Sequence, residues 1–247
     1  MSEWNPQNQT LILIGASGGY CLEDYFLERF DKIIAIDPDP LAQWFFKKKH
    51  SKLFASRQKS GVPISQQGAK AFSSNQKNPR DFLRWLKTDQ YFAPRDGRFD
   101  LRLFQTLLLQ NPEACVLFSG FLGQLPFLYP KETEGHPYQE FKKNLASVLE
   151  GRVWASFHDR YSGQIKPRVE GAAQSERALD EGEIVKKFYS ESNPSSVDLQ
   201  TSSAPQVHSI ELVDHETGDF CKHLSRHYFF WQLRPETYFL IEGVFQK

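Results

Sequence analysis

Residues 11–20 read Leu-Ile-Leu-Ile-Gly-Ala-Ser-Gly-Gly-Tyr. The apolar run Leu11–Ala16, bounded by polar residues, is typical of a strand buried on both faces of a parallel sheet. A glycine-rich turn follows it, and apolar residues at helical spacing then predict a helix over Cys21–Phe30. The β-branched run Ile33–Ile36 predicts a second strand. The four elements form a βαβ unit, whose crossover we expect to be right-handed.

The turn and the end of the second strand carry residues suited to a nucleoside ligand. Gly15, Gly18 and Gly19 allow a sharp turn and close approach of the backbone to a ligand, while N–H groups at a helix start favour polar or anionic atoms. Asp37 lies about twenty residues further on, where a carboxylate can accept hydrogen bonds from both ribose hydroxyls. The pairing predicts an adenine-containing cofactor. The alternative is a glycine turn and a helix-capping aspartate with no ligand.

Strands and helices continue to alternate along the chain, and the chain ends in two aromatic and β-branched runs joined by a short turn. We therefore predict a single domain over residues 1–247. Its fold is a three-layer Rossmann-like α/β sandwich, with a mostly parallel seven-stranded sheet ending in an antiparallel C-terminal hairpin. The later predicted elements are helices at Asp100–Gln110 and His136–Leu149, strands at Cys115–Ser119 and Arg152–Phe157, and the hairpin His227–Phe245.

Two stretches are less regular. Residues 57–80 and 162–205 are rich in Ser, Gln and Gly and are predicted to be mobile insertions, the second with at most one helix near Glu183–Phe188. Around the first, Lys52–Ser56 is a weak strand candidate and Pro79–Lys87 is a predicted helix.

These motifs resemble a known family. Gly-Ala-Ser-Gly-Gly at 15–19, followed by Ile-Ile-Ala-Ile-Asp-Pro-Asp-Pro at 33–40, resembles the first two motifs of class I S-adenosylmethionine-dependent methyltransferases, and the terminal hairpin is similar to their antiparallel ending. In that family an acidic residue often follows the third strand, but residues 41–80 contain none, which leaves backbone groups or Asp81 for adenine. The resemblance implies S-adenosylmethionine as cofactor, with Gly15, Ala16, Ser17, Gly18, Gly19, Asp37, Pro38, Ser119 and Gly120 around it.

Two alternatives remain. The spelling Gly-Ala-Ser-Gly-Gly also resembles the start of short-chain NAD(P) dehydrogenases, which need a Tyr and a Lys four residues apart. Here Tyr161 is followed by Lys166, and Cys21 or Leu22 stands where the third fingerprint glycine would fall. An NAD(P)-dependent oxidoreductase is therefore the second hypothesis. A non-catalytic binding or scaffold protein of the same fold is the third, because no catalytic motif is visible.

The acceptor side is less defined. The loop Ser119–Pro126 lacks the Asn/Asp-Pro-Pro-aromatic motif of amino-group methyltransferases, and no Pro-Cys nucleophile is present. His158, beside Asp159 after the next strand, is a candidate general base because imidazole titrates near neutral pH. Solvated loop residues are the alternative. We expect a small-molecule acceptor whose identity the sequence does not specify.

Composition limits the other partners. Thirty basic and thirty acidic residues cancel, so the whole molecule has no strong field for a polyanion. Nine Lys or Arg and no acidic residues lie between Leu41 and Arg80, so nucleic acid is a possible but not favoured partner.

Three widely spaced cysteines and short apolar runs predict a cytoplasmic protein without a membrane span. Asp214, His215, Glu216, Cys221, His223 and His227 match no metal-site spacing, so no metal is expected.

Overall fold

A computed structural model describes residues 4–59, 82–92, 98–129, 137–168, 171–189 and 212–247. Within these ranges the chain forms one mixed sheet of nine strands, in the order β3-β2-β1-β4-β5-β9-β8-β6, with β7 paired to β5. The strands are β1 (Thr10–Ile14), β2 (Lys32–Ile36), β3 (Leu83–Trp85), β4 (Ala114–Ser119), β5 (Trp154–Gly163), β6 (Ala173–Ser175), β7 (Val213–Asp214), β8 (Arg226–Arg234) and β9 (Thr237–Gln246).

Helices cover both faces of this sheet. The amphipathic helix over residues 101–110 begins where the sequence predicts, because the Asp100 side chain accepts hydrogen bonds from the backbone N–H groups of Arg102 and Leu103. The helices are α1 (Asp24–Leu27), α2 (Ala42–Lys49), α3 (Ser51–Lys59), α4 (Thr88–Tyr91), α5 (Leu101–Gln110), α6 (Pro137–Val148) and α7 (Glu181–Ile184), with 3-10 turns at Ser17–Gly19 and Leu122–Leu128 and a π turn at Val185–Tyr189.

Alternate residues of the central strands point into two separate cores, which gives the predicted three layers. Ile12 and Ile14 face a core shared with α5 and α6, while Leu11 and Leu13 face a core shared with α1 and α2. All four are fully buried. This two-sided burial explains why β1 is a continuous apolar run rather than an alternating pattern.

The last strand, β9, lies inside the sheet and not at its edge. β1 through β5 are parallel, whereas β9 lies antiparallel between β5 and β8 and pairs with both. The predicted antiparallel hairpin is thus confirmed, and its second strand lies between β5 and the first strand of the hairpin, β8. β5 carries a bulge, because the register with β9 shifts between Asp159 and Tyr161.

The sheet has nine strands within the described ranges, where seven are predicted, and two regional predictions are also wrong. Lys52–Ser56 is helical, as part of α3, and the described part of Pro79–Lys87, residues 82–87, contains β3 instead of a helix. The predicted insertion 162–205 is described at 162–168 and 171–189, and the helix that the sequence allows near Glu183–Phe188 is present there as α7 and the π turn. The stretch also adds β6 to the sheet edge, and α7 begins with a reciprocal capping box between Asp180 and Glu183. Of the predicted insertion 57–80, residues 57–59 end α3 and the remainder lies outside the described residues.

The stretch between β7 and β8 forms successive turns. Arg226 holds these turns, donating to the backbone oxygens of Leu224 at 2.9 Å and Cys221 at 3.1 Å. Throughout the described ranges, no three His, Cys, Asp or Glu side chains are grouped to hold a metal ion. In the same part of the chain, no helix is long and apolar enough to cross a membrane.

Candidate functional site

The glycine turn after β1 is tied to the end of β2. The backbone N–H of Gly15 donates to the Ile36 oxygen at 2.9 Å, and the Ser17 N–H donates to Asp37 Oδ2 at 2.7 Å. The other carboxylate oxygen, Oδ1, accepts from the Asp39 N–H at 2.8 Å. Asp37 therefore holds both loops at the carboxyl edge of the sheet, where open α/β sheets bind their ligands.

Asp37 is 2% exposed, and burial raises the pKa of its carboxyl group above the ordinary 3.8. The two backbone hydrogen bonds oppose that rise because they favour the charged form. The result is a carboxylate held in a fixed position beside a cavity, and recognition of a diol requires such positioning.

Side chains from α2 and its C-cap support the turn from behind. The Lys49 ammonium donates to the backbone oxygens of Gly19, Tyr20 and Leu22 at 2.8–2.9 Å. His50 is fully buried, and its Nδ1 lies 2.5 Å from Asp24 Oδ1. Gly19 has φ +75°, and a Cβ there would meet the His50 ring and lie 2.8 Å from Phe46 Cδ2. Glycine at position 19 is therefore required by packing against α2.

A cavity of about 250 Å³ opens at this turn. Its polar wall includes Ser17, Asp37 and Asp39, and its apolar wall includes Phe45 and Phe121. Carboxylates beside aromatic rings suit a ligand that combines hydroxyl groups with a flat apolar ring. The full lining is Gly15, Ser17, Gly18, Asp37, Pro38, Asp39, Phe45, Ser119, Phe121 and Gln124.

A larger cleft of about 640 Å³ adjoins the cavity, and Ser17, Ser119 and Gln124 border both. Its remaining walls are mostly apolar and come from the glycine turn and from β5, β8 and β9. They comprise Tyr20, Cys21, Gly120, Phe157, His158, Asp159, Phe229, Phe230, Trp231, Phe239 and Ile241. Together the two spaces fall within the roughly 300–1,000 Å³ range of small-molecule sites.

His158 lies in the wall of the cleft, but its imidazole does not face it. The flanking residues Phe157 and Asp159 border the cleft, and side chains alternate along a strand, so His158 points to the opposite layer. There its Nδ1 is 2.8 Å from Ser156 Oγ, and its Nε2 is buried without a hydrogen-bond partner among the described residues. Burial, together with Arg226 and other nearby cations, holds its pKa well below 6.5. The prediction of a general base at His158 is not supported by this placement.

Tyr161, the residue weighed for a dehydrogenase, does not line the cleft. It is 1% exposed, its hydroxyl donates to Asp214 Oδ2 at 3.3 Å, and burial raises its pKa above the ordinary 10. A buried phenol with a raised pKa is a poor proton donor at neutral pH. Lys166 therefore has no catalytic tyrosine to assist.

Most of the predicted cofactor residues are brought together. Gly15, Ser17, Gly18, Asp37, Pro38 and Ser119 line the smaller cavity, and Gly120 lines the larger cleft. Ala16 and Gly19 line neither space and are buried in packing. Sequence reasoning missed Asp39 and Phe45, whereas Phe121 and Gln124 lie in the loop Ser119–Gln124 that was expected to flank the acceptor. Asp39 alone had a signal, because it follows Asp37 by two residues at the same strand end.

The strand order decides the fold type. The resemblance to class I methyltransferases implies an antiparallel strand inserted through a terminal hairpin, and β9 occupies that position between β5 and β8. The chain has a class I methyltransferase-like fold. This fold accounts for the cavity at the end of β1 and β2, because the crevice of such sheets lies outside the carboxyl ends of the parallel strands.

No protein-family model and no curated protein matches the chain. Solved structures similar to it include the glycopeptide N-methyltransferase MtfA complexed with S-adenosylhomocysteine, at 12% identity over 99% of this chain and 86% of that one, with a TM-score of 0.35. The rRNA methyltransferase aviRa from Streptomyces viridochromogenes matches at 17% identity over 62% of this chain and 66% of that one, with a TM-score of 0.32.

The methyltransferase domain of bacterial CtHen1 matches at 11% identity over 62% of this chain, with a TM-score of 0.30. The chain spans 59% of the length of that domain, which is less than two thirds.

Proposed function

We propose that the protein is an S-adenosylmethionine-dependent methyltransferase that acts on a small molecule. The observation that carries the proposal is the Asp37 carboxylate, which borders a cavity formed by the glycine turn while both of its oxygens accept backbone hydrogen bonds. Asp37 would hold the ribose hydroxyls, and Phe45 or Phe121 would contact the adenine ring. The family resemblance and the inserted strand β9 support this interpretation.

The bound cofactor would supply an electrophilic methyl group. The chain's contribution is position, because in-line methyl transfer needs little acid–base help. Ser17, Ser119 and Gln124 border both the cavity and the cleft, so they would line the boundary between cofactor and acceptor. The apolar cleft beyond them would exclude water from that boundary.

For adenine recognition, the predicted candidate Asp81 lies outside the described residues. With β3 at Leu83–Trp85, the first acidic residue after that strand is Asp89, in α4. Asp89 is exposed and does not line the cavity. We propose that backbone groups near Pro38 and the ring of Phe45 contribute more to adenine binding than Asp89 does.

Isothermal titration of the purified protein tests the proposal. The ligands are S-adenosylmethionine and S-adenosylhomocysteine, with NAD(H) and NADP(H) in parallel. We expect micromolar binding of the first two and at least about tenfold weaker binding in Asp37→Asn, which keeps the side-chain shape but loses the charge. Glu150→Gln, an exposed change after α6, is the matched control and should bind like the wild type.

Melting temperatures of all variants separate lost binding from lost folding, since Asp37 also anchors Ser17. Asp39→Asn provides a second variant, because asparagine can still accept the Leu41 N–H bond seen at 2.8 Å. Binding of nicotinamide cofactors alone would overturn the proposal in favour of an oxidoreductase. Binding of none of the four would favour a scaffold protein.

A further inference from the structure

Three strands place one row of side chains on the floor of the larger cleft. Asp159 of β5 pairs with Ile241 of β9, and Ile241 pairs with Phe229 of β8. The next row on the same face contains Phe239 opposite Trp231. Directly opposed residues project to the same side of a sheet, so a single carboxylate ends a surface that is otherwise aromatic and aliphatic.

The aromatic residues of this face are incompletely covered. Phe229 is 37% exposed and Trp231 is 43% exposed. Tyr20, across the cleft on the glycine turn, is 62% exposed. Aromatic side chains grouped in a concave surface beside polar groups are typical of a ligand site rather than of general surface. They suit a flat or apolar body that can stack or pack against them.

Asp159 is held rigidly at the edge of this surface. The bulge of β5 falls between Asp159 and Tyr161, and bulges commonly re-aim a side chain next to an active site. The turn Leu122–Leu128 packs against the strand there, since a Cβ on Gly123 would lie 2.7–2.8 Å from the backbone O and N of Asp159. The backbone of Asp159 is therefore held between its pairing with β9 and the turn at Gly123.

The Asp159 carboxylate is free to meet a ligand from the cleft. Its side chain is partly buried, and within the described ranges it accepts no hydrogen bond from a protein donor. Burial raises its pKa above 3.8, and the nearby His215 only partly opposes this. A partly desolvated carboxylate is stabilised by a cation or donor that meets it.

We propose that the cleft binds acceptors that join an aromatic or apolar body to an amine, and that Asp159 forms the ion pair with that amine. The assignment of the cleft as the acceptor side rests on the proposed methyltransferase function. The amine-binding role of Asp159 rests on the cleft alone. Asp159 is thus a specificity-determining residue, because an alcohol of the same shape would leave its charge uncompensated.

Calorimetric titration with matched probes tests the proposal. Tryptamine and 2-phenylethylamine are compared with tryptophol and 2-phenylethanol, which replace the amine by a hydroxyl group. We expect at least one amine to bind the wild type about tenfold or more tightly than its alcohol, and Asp159→Asn to abolish that preference. Glu150→Gln should retain it. Equal affinity for amine and alcohol in the wild type, or a preference that survives in Asp159→Asn, would overturn the proposal.

Each titration is run on the free protein and on protein saturated with S-adenosylhomocysteine. If S-adenosylhomocysteine does not bind but the free protein prefers amines through Asp159, the methyltransferase proposal fails and the amine site stands. If S-adenosylhomocysteine binds to both the wild type and Asp159→Asn but the amine preference is absent, the reverse holds. Unchanged cofactor affinity and melting temperature in Asp159→Asn would show that the variant is folded.

Discussion

Gly19 shows that a glycine inside a ligand-binding motif can be fixed by packing. Its neighbours are the ring of Phe46 and the buried His50, and its own φ is +75°. The glycine-rich turn and the core around α2 therefore share this residue. Mutations at Gly19 should therefore lower the stability of the fold more than they directly affect ligand binding.

We expect Gly19→Ala to lower the free energy of unfolding by about 3 kcal/mol, because the new methyl group overlaps His50 and Phe46 in addition to straining the backbone. Gly151→Ala is the matched control, since Gly151 has φ +71° with nothing within 4 Å of a Cβ. It should cost only about 1 kcal/mol, the backbone strain alone. Urea unfolding of both variants measures the difference. Equal losses would show that the overlap relaxes without cost.

Among single residues, the sequence predicts those whose role depends only on their immediate neighbours in the chain. Gly15 and Asp37 are predictable because each stands at the end of an apolar strand. Lys49 belongs to a basic segment of the sequence, yet it bonds three carbonyl groups of the glycine turn. Judged by side-chain chemistry alone, His158 is a better candidate for a general base than Asp159. Of the two, however, only Asp159 presents its side chain to the cleft. The bulge in β5 and its pairing with β9 determine which side chain faces the cleft, and neither can be predicted from residue spacing.

The C-terminal hairpin carries a buried ion pair between its two strands. Arg226 Nε of β8 contacts Glu242 Oε1 of β9, and both side chains are fully buried. Burial raises the pKa of Glu242 above its ordinary 4.5, and Arg226 opposes that rise by favouring the charged carboxylate. The hairpin therefore depends on the pair being complete.

Arg226→Met should lower the free energy of unfolding by about 3 kcal/mol, because it removes the closest cation and leaves the Glu242 carboxylate in the core with the more distant Arg160 and the Tyr228 hydroxyl. The double variant Arg226→Met/Glu242→Leu should regain part of this loss. As a control, Arg177→Ala breaks an exposed pair with Glu183 and should have little effect. Chemical denaturation of the four proteins provides the comparison. A double variant no more stable than Arg226→Met would contradict the role assigned to the uncompensated charge.

Long apolar runs make β1, β2, β4 and the hairpin strands predictable from sequence. β3 is not predictable, because it has only three residues and none of them is fully buried. Its sequence Leu-Arg-Trp, followed by Leu86, also fits one turn of an amphipathic helix. Pairing with β2 makes this segment a strand, because Leu83–Trp85 align with Ile33–Ala35. Such tertiary pairing overrides local propensity in short edge strands.

For the whole molecule, charge balance argues against a polyanionic partner. Thirty basic and thirty acidic side chains cancel, and part of the basic segment is used inside the fold by Lys49. Using fluorescence anisotropy, we expect a 20-nucleotide single-stranded RNA to bind more weakly than about 100 μM at physiological salt. Tight binding that falls steeply with added salt would instead indicate a nucleic-acid acceptor. The measurement thus checks the choice of a small molecule.

The position of β9 also orders the assembly of the protein during its synthesis. The smaller cavity is lined by residues up to Gln124, all of which are synthesised well before residue 229. The larger cleft is also lined by Phe229, Trp231, Phe239 and Ile241, and β8 joins β5 only through β9. Because domains form as their residues emerge, the proposed nucleoside-binding half would form first in the nascent chain. The proposed substrate selectivity would arise only with the last strand.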